Sequence, residues 1–296
     1  MYEILMLKMK LQNTLLPILA MAISCADAND GVPRSEIIQF TSGDILLEGV
    51  LDLPKKEGKV PLVVFVHGSG MRTRSDYEEF VPPLLKAGFA TFRYDKRGVG
   101  ASGGTYVGIE TSNSPTTIPT LAMDAASAIM QLKRHPKIDS THCILIGASQ
   151  AGWIIPVAAG HSSLFLTVCF SGPAVTVGEE IYFSQLAENG DYTVEEANRM
   201  VQSFHGNHGF DPIPYIQNLR QPSLWIFGEQ DQSIPVDRSI QLLEAARDSL
   251  RLPIQIQVIP GVNHSLMSKD GKFADYVGNI LDWIKTHLSD PHPKNE

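Results

Sequence analysis

A continuous apolar run at Leu62 to Val66 is followed by similar, mostly apolar runs at Ala90 to Tyr94, Cys143 to Ile146, Phe165 to Phe170, Leu224 to Phe227 and Ile254 to Ile259. A run with no polar alternation suits a strand buried on both faces. Between the runs lie segments with helical spacing, at Tyr77 to Ala87, Leu121 to Lys133, Ala151 to Ala159, Arg238 to Ser249 and Phe273 to His287. Strand and helix in alternation predict βαβ units with right-handed crossovers, hence a mostly parallel sheet with helices on both faces. Ahead of these units, Ile37 to Phe40 and Ile45 to Leu53 alternate around Ser42-Gly43-Asp44, a hairpin signal. No internal repeat is present.

The stretch from Gly172 to Leu219 interrupts the alternation. It offers two short helices, Glu179 to Ala187 and Thr193 to Phe204, the second opened by the capping box Thr193-Val194-Glu195-Glu196. Lying after one sheet strand and before the next, it reads as a lid, about 172–219, over the strand C-terminal ends, where open α/β sheets bind ligands. At 296 residues the chain is expected to form one domain, 29–296, with this insertion.

The first residues have a different composition. Lys8 and Lys10 precede an apolar run from Leu15 to Ile23, and small residues follow at Ala26-Asp27-Ala28. A basic start, a short apolar centre and a small-x-small site predict a secretory signal peptide over 1–28, and so an exported, periplasmic or secreted protein. The run is too short to span a bilayer, which takes about 20 apolar residues. Ala22-Ile23-Ser24-Cys25 offers the alternative of a lipid anchor at Cys25. Beyond Cys25, only Cys143 and Cys169 remain, both in apolar runs and read as buried free thiols. A net charge of −8, with no Lys/Arg run longer than a pair such as Lys55-Lys56, argues against nucleic acid or an anionic membrane surface as partner.

Ile144-Leu145-Ile146-Gly147-Ala148-Ser149-Gln150-Ala151-Gly152 runs an apolar strand into a serine flanked by small residues and then at once into a helix. A nucleophile on such an elbow needs a strained backbone and a close approach of strand to helix, which small neighbours permit. The turn leaves the hydroxyl exposed and sets the Gln150 N–H at a helix N-terminus, where it can stabilise an oxyanion. His67-Gly68-Ser69-Gly70, directly after the first buried run, allows the Ser69 N–H to be the second donor. No Gly-Lys-Ser/Thr follows, which disfavours a phosphate loop. Asp231 follows one later run and His264 the next. A serine hydroxyl is a poor nucleophile unless an imidazole accepts its proton and a carboxylate fixes the imidazole tautomer. The chain order Ser149, Asp231, His264 meets that need, with Glu229 as a rival acid.

Together with Tyr94-Asp95-Lys96-Arg97-Gly98-Val99-Gly100-Ala101-Ser102, Gly228-Glu229-Gln230-Asp231 with Ile234-Pro235, and Gly261-Val262-Asn263-His264, these pieces resemble the α/β-hydrolase superfamily, in its serine aminopeptidase-like and monoacylglycerol-lipase-like branch. The resemblance implies Ser149 as nucleophile, Asp231 as acid, His264 as base and the Ser69 and Gln150 amides as oxyanion hole. It also implies a structural turn at Asp95 to Ser102. Ala151 stands where the family has glycine. The expected activity is hydrolysis of short- or medium-chain carboxylic esters, with a small-molecule acyl substrate and no cofactor. An aminopeptidase is the alternative, with Glu179, Glu180 and Glu188 as candidates for holding a substrate ammonium. A further alternative is a non-catalytic binding protein on the same scaffold. His205-x-x-His208 lacks further ligands at a suitable spacing and is read as a loop rather than a metal site. Phe204, Phe210 and Tyr215 are candidates for an acyl-pocket wall or for lid core.

Overall fold

The structure is a computed structural model that describes residues 34–190 and 192–289. The predicted signal segment 1–28, Cys25 included, and the tail from Pro291 lie outside the described residues.

β1 (Arg34–Ser42) and β2 (Ile45–Leu53) pair antiparallel from Arg34↔Leu53 to Ser42↔Ile45. Gly43 makes the tight turn between them at φ 58, a left-handed backbone that glycine enters without a Cβ penalty. The chain then runs β3 (Val60–Val66), a single 3-10 turn (Glu78–Phe80), α1 (Val81–Lys86), β4 (Ala90–Tyr94), α2 (Ser114–Leu132), β5 (Ile138–Ala148), α3 (Ala151–His161) and β6 (Leu166–Phe170). It continues through α4 (Val177–Glu188), α5 (Val194–Val201), α6 (Ile213–Ile216), β7 (Ser223–Gly228), α7 (Val236–Leu250), β8 (Ile254–Ile259) and α8 (Tyr276–Ser289). Among the described residues the strands form one eight-stranded sheet in the order β1-β2-β4-β3-β5-β6-β7-β8. β1/β2 and β2/β4 are antiparallel and every other pair is parallel. This is the mostly parallel sheet that the alternating pattern predicts, in the α/β-hydrolase arrangement that the resemblance implies.

Side chains alternate across the pleat, so each buried run supplies two cores. Leu62, Val64 and Val66 of β3 face one core with Ala125 and Ile129 of α2 and Ile154 and Val157 of α3. Val63 and Phe65 face the other, with Leu84 of α1 and Ile280 and Ile284 of α8. From β3 the chain crosses to β4 on one side and then returns to β5 on the other. That reversal opens a crevice above the carboxyl ends of β3 and β5.

Several helices differ from their expected spans, α5 among them in ending at Val201 rather than Phe204. α2 begins at Ser114 rather than Leu121, because Pro115 sits in the first turn, where its missing N–H costs nothing, and Pro119 is accommodated inside. The segment expected as a helix from Tyr77 starts instead as a 3-10 turn, after Tyr77 at φ 66. α8 starts three residues late, at Tyr276, because Phe273 is drawn into a bridge with Met267 and left exposed. The insertion between β6 and β7 holds α4, α5 and α6. Phe183, Ala187, Ala197 and Val201 form a small core of their own between α4 and α5. Thr193 and Glu196 make the predicted capping box, and Thr176 and Glu179 make a second one that opens α4. Cys143 and Cys169 are buried free thiols on neighbouring strands.

The start of α3 lies almost on the backbone after β6: a Cβ on Gly152 would come within 2.7 Å of the Gly172 carbonyl carbon. Gly152→Ala is therefore expected to cost about 1–3 kcal/mol of stability through overpacking. The check is a lower urea midpoint at an unchanged slope.

Candidate active site

β5 passes into α3 through Ser149, whose φ of 55 puts a non-glycine residue in the left-handed region. That conformation costs on the order of 1–2 kcal/mol, and the surroundings hold it. The Ser149 N–H donates to the Phe170 carbonyl at 3.1 Å, and the Ser149 carbonyl accepts from Gly152 N–H at 2.8 Å as α3 begins. A Cβ on Gly147 would stand 2.5 Å from both the Ala151 Cβ and the Val66 carbonyl oxygen. The glycine before the serine thus makes the room that Ala151 needs. An alanine two residues after Ser149 is compatible with the elbow for that reason.

Asp231, in the turn after β7, is fully buried. Its Oδ1 accepts from the Ser233 and Ile234 amides at 2.8 and 3.1 Å, and its Oδ2 accepts from His264 Nδ1 at 2.8 Å. The Nδ1 contact leaves Nε2 as the ring nitrogen available to the cleft. The His264 turn is held from beneath. Asn263 Oδ1 accepts from the Ser265 and Met267 amides, and Ser171 Oγ donates to the His264 carbonyl at 2.7 Å. Ser171 is the residue after Phe170, which anchors Ser149. Two hydrogen bonds and one peptide link therefore tie the Ser149 turn to the His264 turn. Ser171 itself has φ 48. Glu229, the rival acid, points away and accepts from the Gly261 amide at 2.9 Å.

Burial alone would lower the pKa of His264. The Asp231 hydrogen bond and charge, with the nearby Glu180 and Glu188, more than reverse this and leave it raised above the ordinary imidazole value.

The loop after β3 carries the second half of the site. A Cβ on Gly68 would lie 3.5 Å from the Ser149 Cβ, so the loop abuts the elbow. His67 is buried beneath it, with Nε2 on the Tyr94 carbonyl, and burial pushes its pKa down to about 4. It is therefore a neutral structural ring. Among the described residues neither the Ser69 nor the Gln150 amide N–H is engaged by another protein group. Those are the two amides predicted as oxyanion donors. The turn at Asp95 is structural, as the resemblance implies. Its carboxylate accepts from the Arg74 and Ala101 amides and from the Arg74 guanidinium.

The residues of the insertion between β6 and β7 separate into those already committed and those near His264. Glu179 is spent on its capping box and on Arg238 at 3.6 Å. Glu180 faces His264, Asp231 and Glu188, and burial pushes its carboxyl up to about 8. Glu188 accepts from Ser233 Oγ at 2.6 Å. His208 contacts Thr176 Oγ1, and among the described residues no group of three or more His, Cys, Asp or Glu is placed to hold a metal ion. Phe204 packs on Tyr182, and Phe210 stacks on Tyr215 and belongs to the main core. Sequence reasoning gave no role to Ser171 or Lys96. The first is a serine in a Ser-Gly-Pro turn. The second sits in a polar turn motif, and only the folded chain brings its ammonium to the loop at Gly68.

The fold and this rim of residues define a serine hydrolase of the α/β-hydrolase type. The chain belongs to the prolyl oligopeptidase family, whose model matches residues 77–291. It is 23% identical over 274 residues to the human acylamino-acid-releasing enzyme, covering 86% of this chain and 35% of that one. It is 26% identical over 270 residues to the esterase EstD of Thermotoga maritima, covering 79% of this chain and 62% of that one. The fold matches an acylaminoacyl peptidase of Pyrococcus horikoshii with a TM-score of 0.68 at 17% identity, over 89% of this chain and 43% of that one. The chain spans about a third of the length of the acylamino-acid-releasing relatives.

In an NMR titration, the His264 ring proton is expected to turn over above the ordinary imidazole value of about 6.5. Asp231→Asn removes the charge that favours the imidazolium, so its midpoint is expected to fall below that of the wild type.

Proposed function

We propose that this protein hydrolyses carboxylic esters with short or medium acyl chains, through an acyl-enzyme on Ser149. The reading rests chiefly on the fully buried Asp231 carboxylate bound to Nδ1 of His264, which leaves Nε2 free to act as base. In the first step His264 Nε2 takes the Ser149 proton as Oγ attacks the ester carbonyl. The tetrahedral oxyanion is held by the Ser69 and Gln150 amides. The C–O bond to the alcohol then breaks, and the imidazolium returns its proton to the leaving oxygen. Water repeats the sequence on the acyl-enzyme, releasing the acid and free Ser149. The identity with an enzyme named as an esterase, EstD, supports an ester as substrate.

Glu180 and Glu188 beside His264 favour a second reading. Two carboxyls beside the imidazole would suit a substrate carrying an ammonium group, as an aminopeptidase requires. The relatives named for acylamino-acid release are consistent with amide chemistry at such a site. On either reading, the basic, apolar and small-residue segments of 1–28 support an exported protein.

Ser149→Ala is expected to lower kcat on p-nitrophenyl butyrate by about 10⁴-fold or more with the fold intact. A fluorophosphonate is expected to label the wild type at Ser149 and not the variant. Unchanged turnover in the variant would refute the mechanism, and absent labelling would favour a non-catalytic scaffold. Aminoacyl p-nitroanilides separate the two substrate readings. If they are the better substrates, and Glu180→Gln raises KM for them while sparing the butyrate ester, the aminopeptidase reading prevails.

A further inference from the structure

Lys96 is 3% exposed, and its ammonium has no carboxylate partner among the described residues. It donates instead to the Gly68 carbonyl at 2.9 Å, to the Gly70 carbonyl at 3.4 Å and to Gln150 Oε1 at 2.6 Å. Its charge is thus buried against three neutral oxygens, with the Tyr106 ring centroid 5.7 Å from the ammonium and no carboxylate in contact, an arrangement that costs desolvation free energy. Burial, and then the like charge of Arg72, lower its pKa to about 8, while Asp76 opposes them.

All three acceptors belong to the two segments that carry the free amides. The Gly68 carbonyl and the Ser69 N–H are opposite ends of one planar trans peptide. Holding that oxygen on the ammonium turns the Ser69 N–H to the other side, and withdraws electron density from the peptide so that the N–H donates more strongly. The third bond grips the side chain of Gln150, whose own N–H is the other donor. Arg72 braces the same loop, with Nε donating to the Ser69 carbonyl at 2.7 Å and its carbonyl accepting from the Lys96 amide at 3.1 Å.

We propose that Lys96 is a positioning residue for the oxyanion hole, its one ammonium setting both the Ser69 and Gln150 amides toward the developing negative charge. The proposal rests on the acyl-transfer reading above. Lys96 touches neither substrate nor Ser149 and acts through the two peptides. Because those amides matter most when charge develops on the carbonyl oxygen, the loss of Lys96 falls on kcat rather than on ground-state binding.

The test compares wild type, Lys96→Met and Gln150→Met on p-nitrophenyl butyrate, with binding of a trifluoromethyl ketone of the same chain length. Lys96→Met is expected to lower kcat about 10²-fold, with KM within about three-fold, and to weaken the ketone, which binds as an oxyanion, in proportion to kcat. Gln150→Met keeps the amide and removes only the Oε1 anchor, so a smaller loss of the same kind is expected. Binding of butyrate, which forms no oxyanion adduct, stays constant. A folded Lys96→Met enzyme with kcat within three-fold of wild type, or with kcat reduced but ketone affinity unchanged, overturns the proposal. If Lys96→Met does not fold, Gln150→Met decides, and unchanged kcat and ketone affinity there overturn it. Failure of the acyl-transfer reading is distinguishable, because the wild type itself would then show no turnover dependent on Ser149.

Discussion

The site depends on how closely strand β5 and helix α3 approach one another. Gly147 has room for nothing larger than hydrogen between the Val66 carbonyl and the Ala151 methyl, and Gly152 lies against the backbone at Gly172. These contacts hold the chain through Ser149 in a left-handed conformation and start α3 at once after it. The strain at Ser149 arises from one packing constraint, with the parallel strands on either side supplying the rigidity that sustains it.

Around that elbow the sheet supplies registration. Ser149, Asp231 and His264 come from turns after β5, β7 and β8, strands that form one continuous run of the sheet through β6. The turn after β6 connects them, since Phe170 accepts from Ser149 and Ser171 donates to His264. Electrostatics follow from the same placement. Asp231 is fully buried but has its oxygens occupied by two amides and the imidazole, so its charge is held in one orientation. On the opposite wall an unpaired ammonium lies under the loop that holds the free amides. The cleft thus has an acidic side at the imidazole and a cationic side at the amides, and that polarity matches the direction in which charge moves during acyl transfer.

Much of this was legible because it rests on local pattern. The continuous apolar run of β3 identifies a strand covered on both faces, and β4 and β8 have the predicted ends although β8 is a partly exposed edge strand. Small residues around Ser149, and an Asp and a His after successive runs, suggested the site in outline. Other features depend on contacts far apart in sequence. The first two turns of α2 are hidden by Pro115 and Pro119, and α6 has four residues, too few for a period to show. Lys96 and Ser171 look like ordinary turn residues. Their partners, Gln150 and His264, are 54 and 93 positions away. Glu179 and Glu180 are neighbours of one residue type, yet one serves a helix cap and the other faces the imidazole. The spacing Thr176-Val177-Gly178-Glu179, the same capping signature as at Thr193, is the local signal that separates them.

The strand order also governs when the hydroxyl acquires its partner. β8 is the last strand in the sequence and occupies an outer edge of the sheet, and the imidazole rides on the turn that follows it. A nascent polypeptide can therefore complete the elbow and most of both cores while it still lacks a base. On the acyl-transfer reading proposed above, competence would arrive only with the turn after the final edge strand, and completion of the sheet would be the trigger for reactivity.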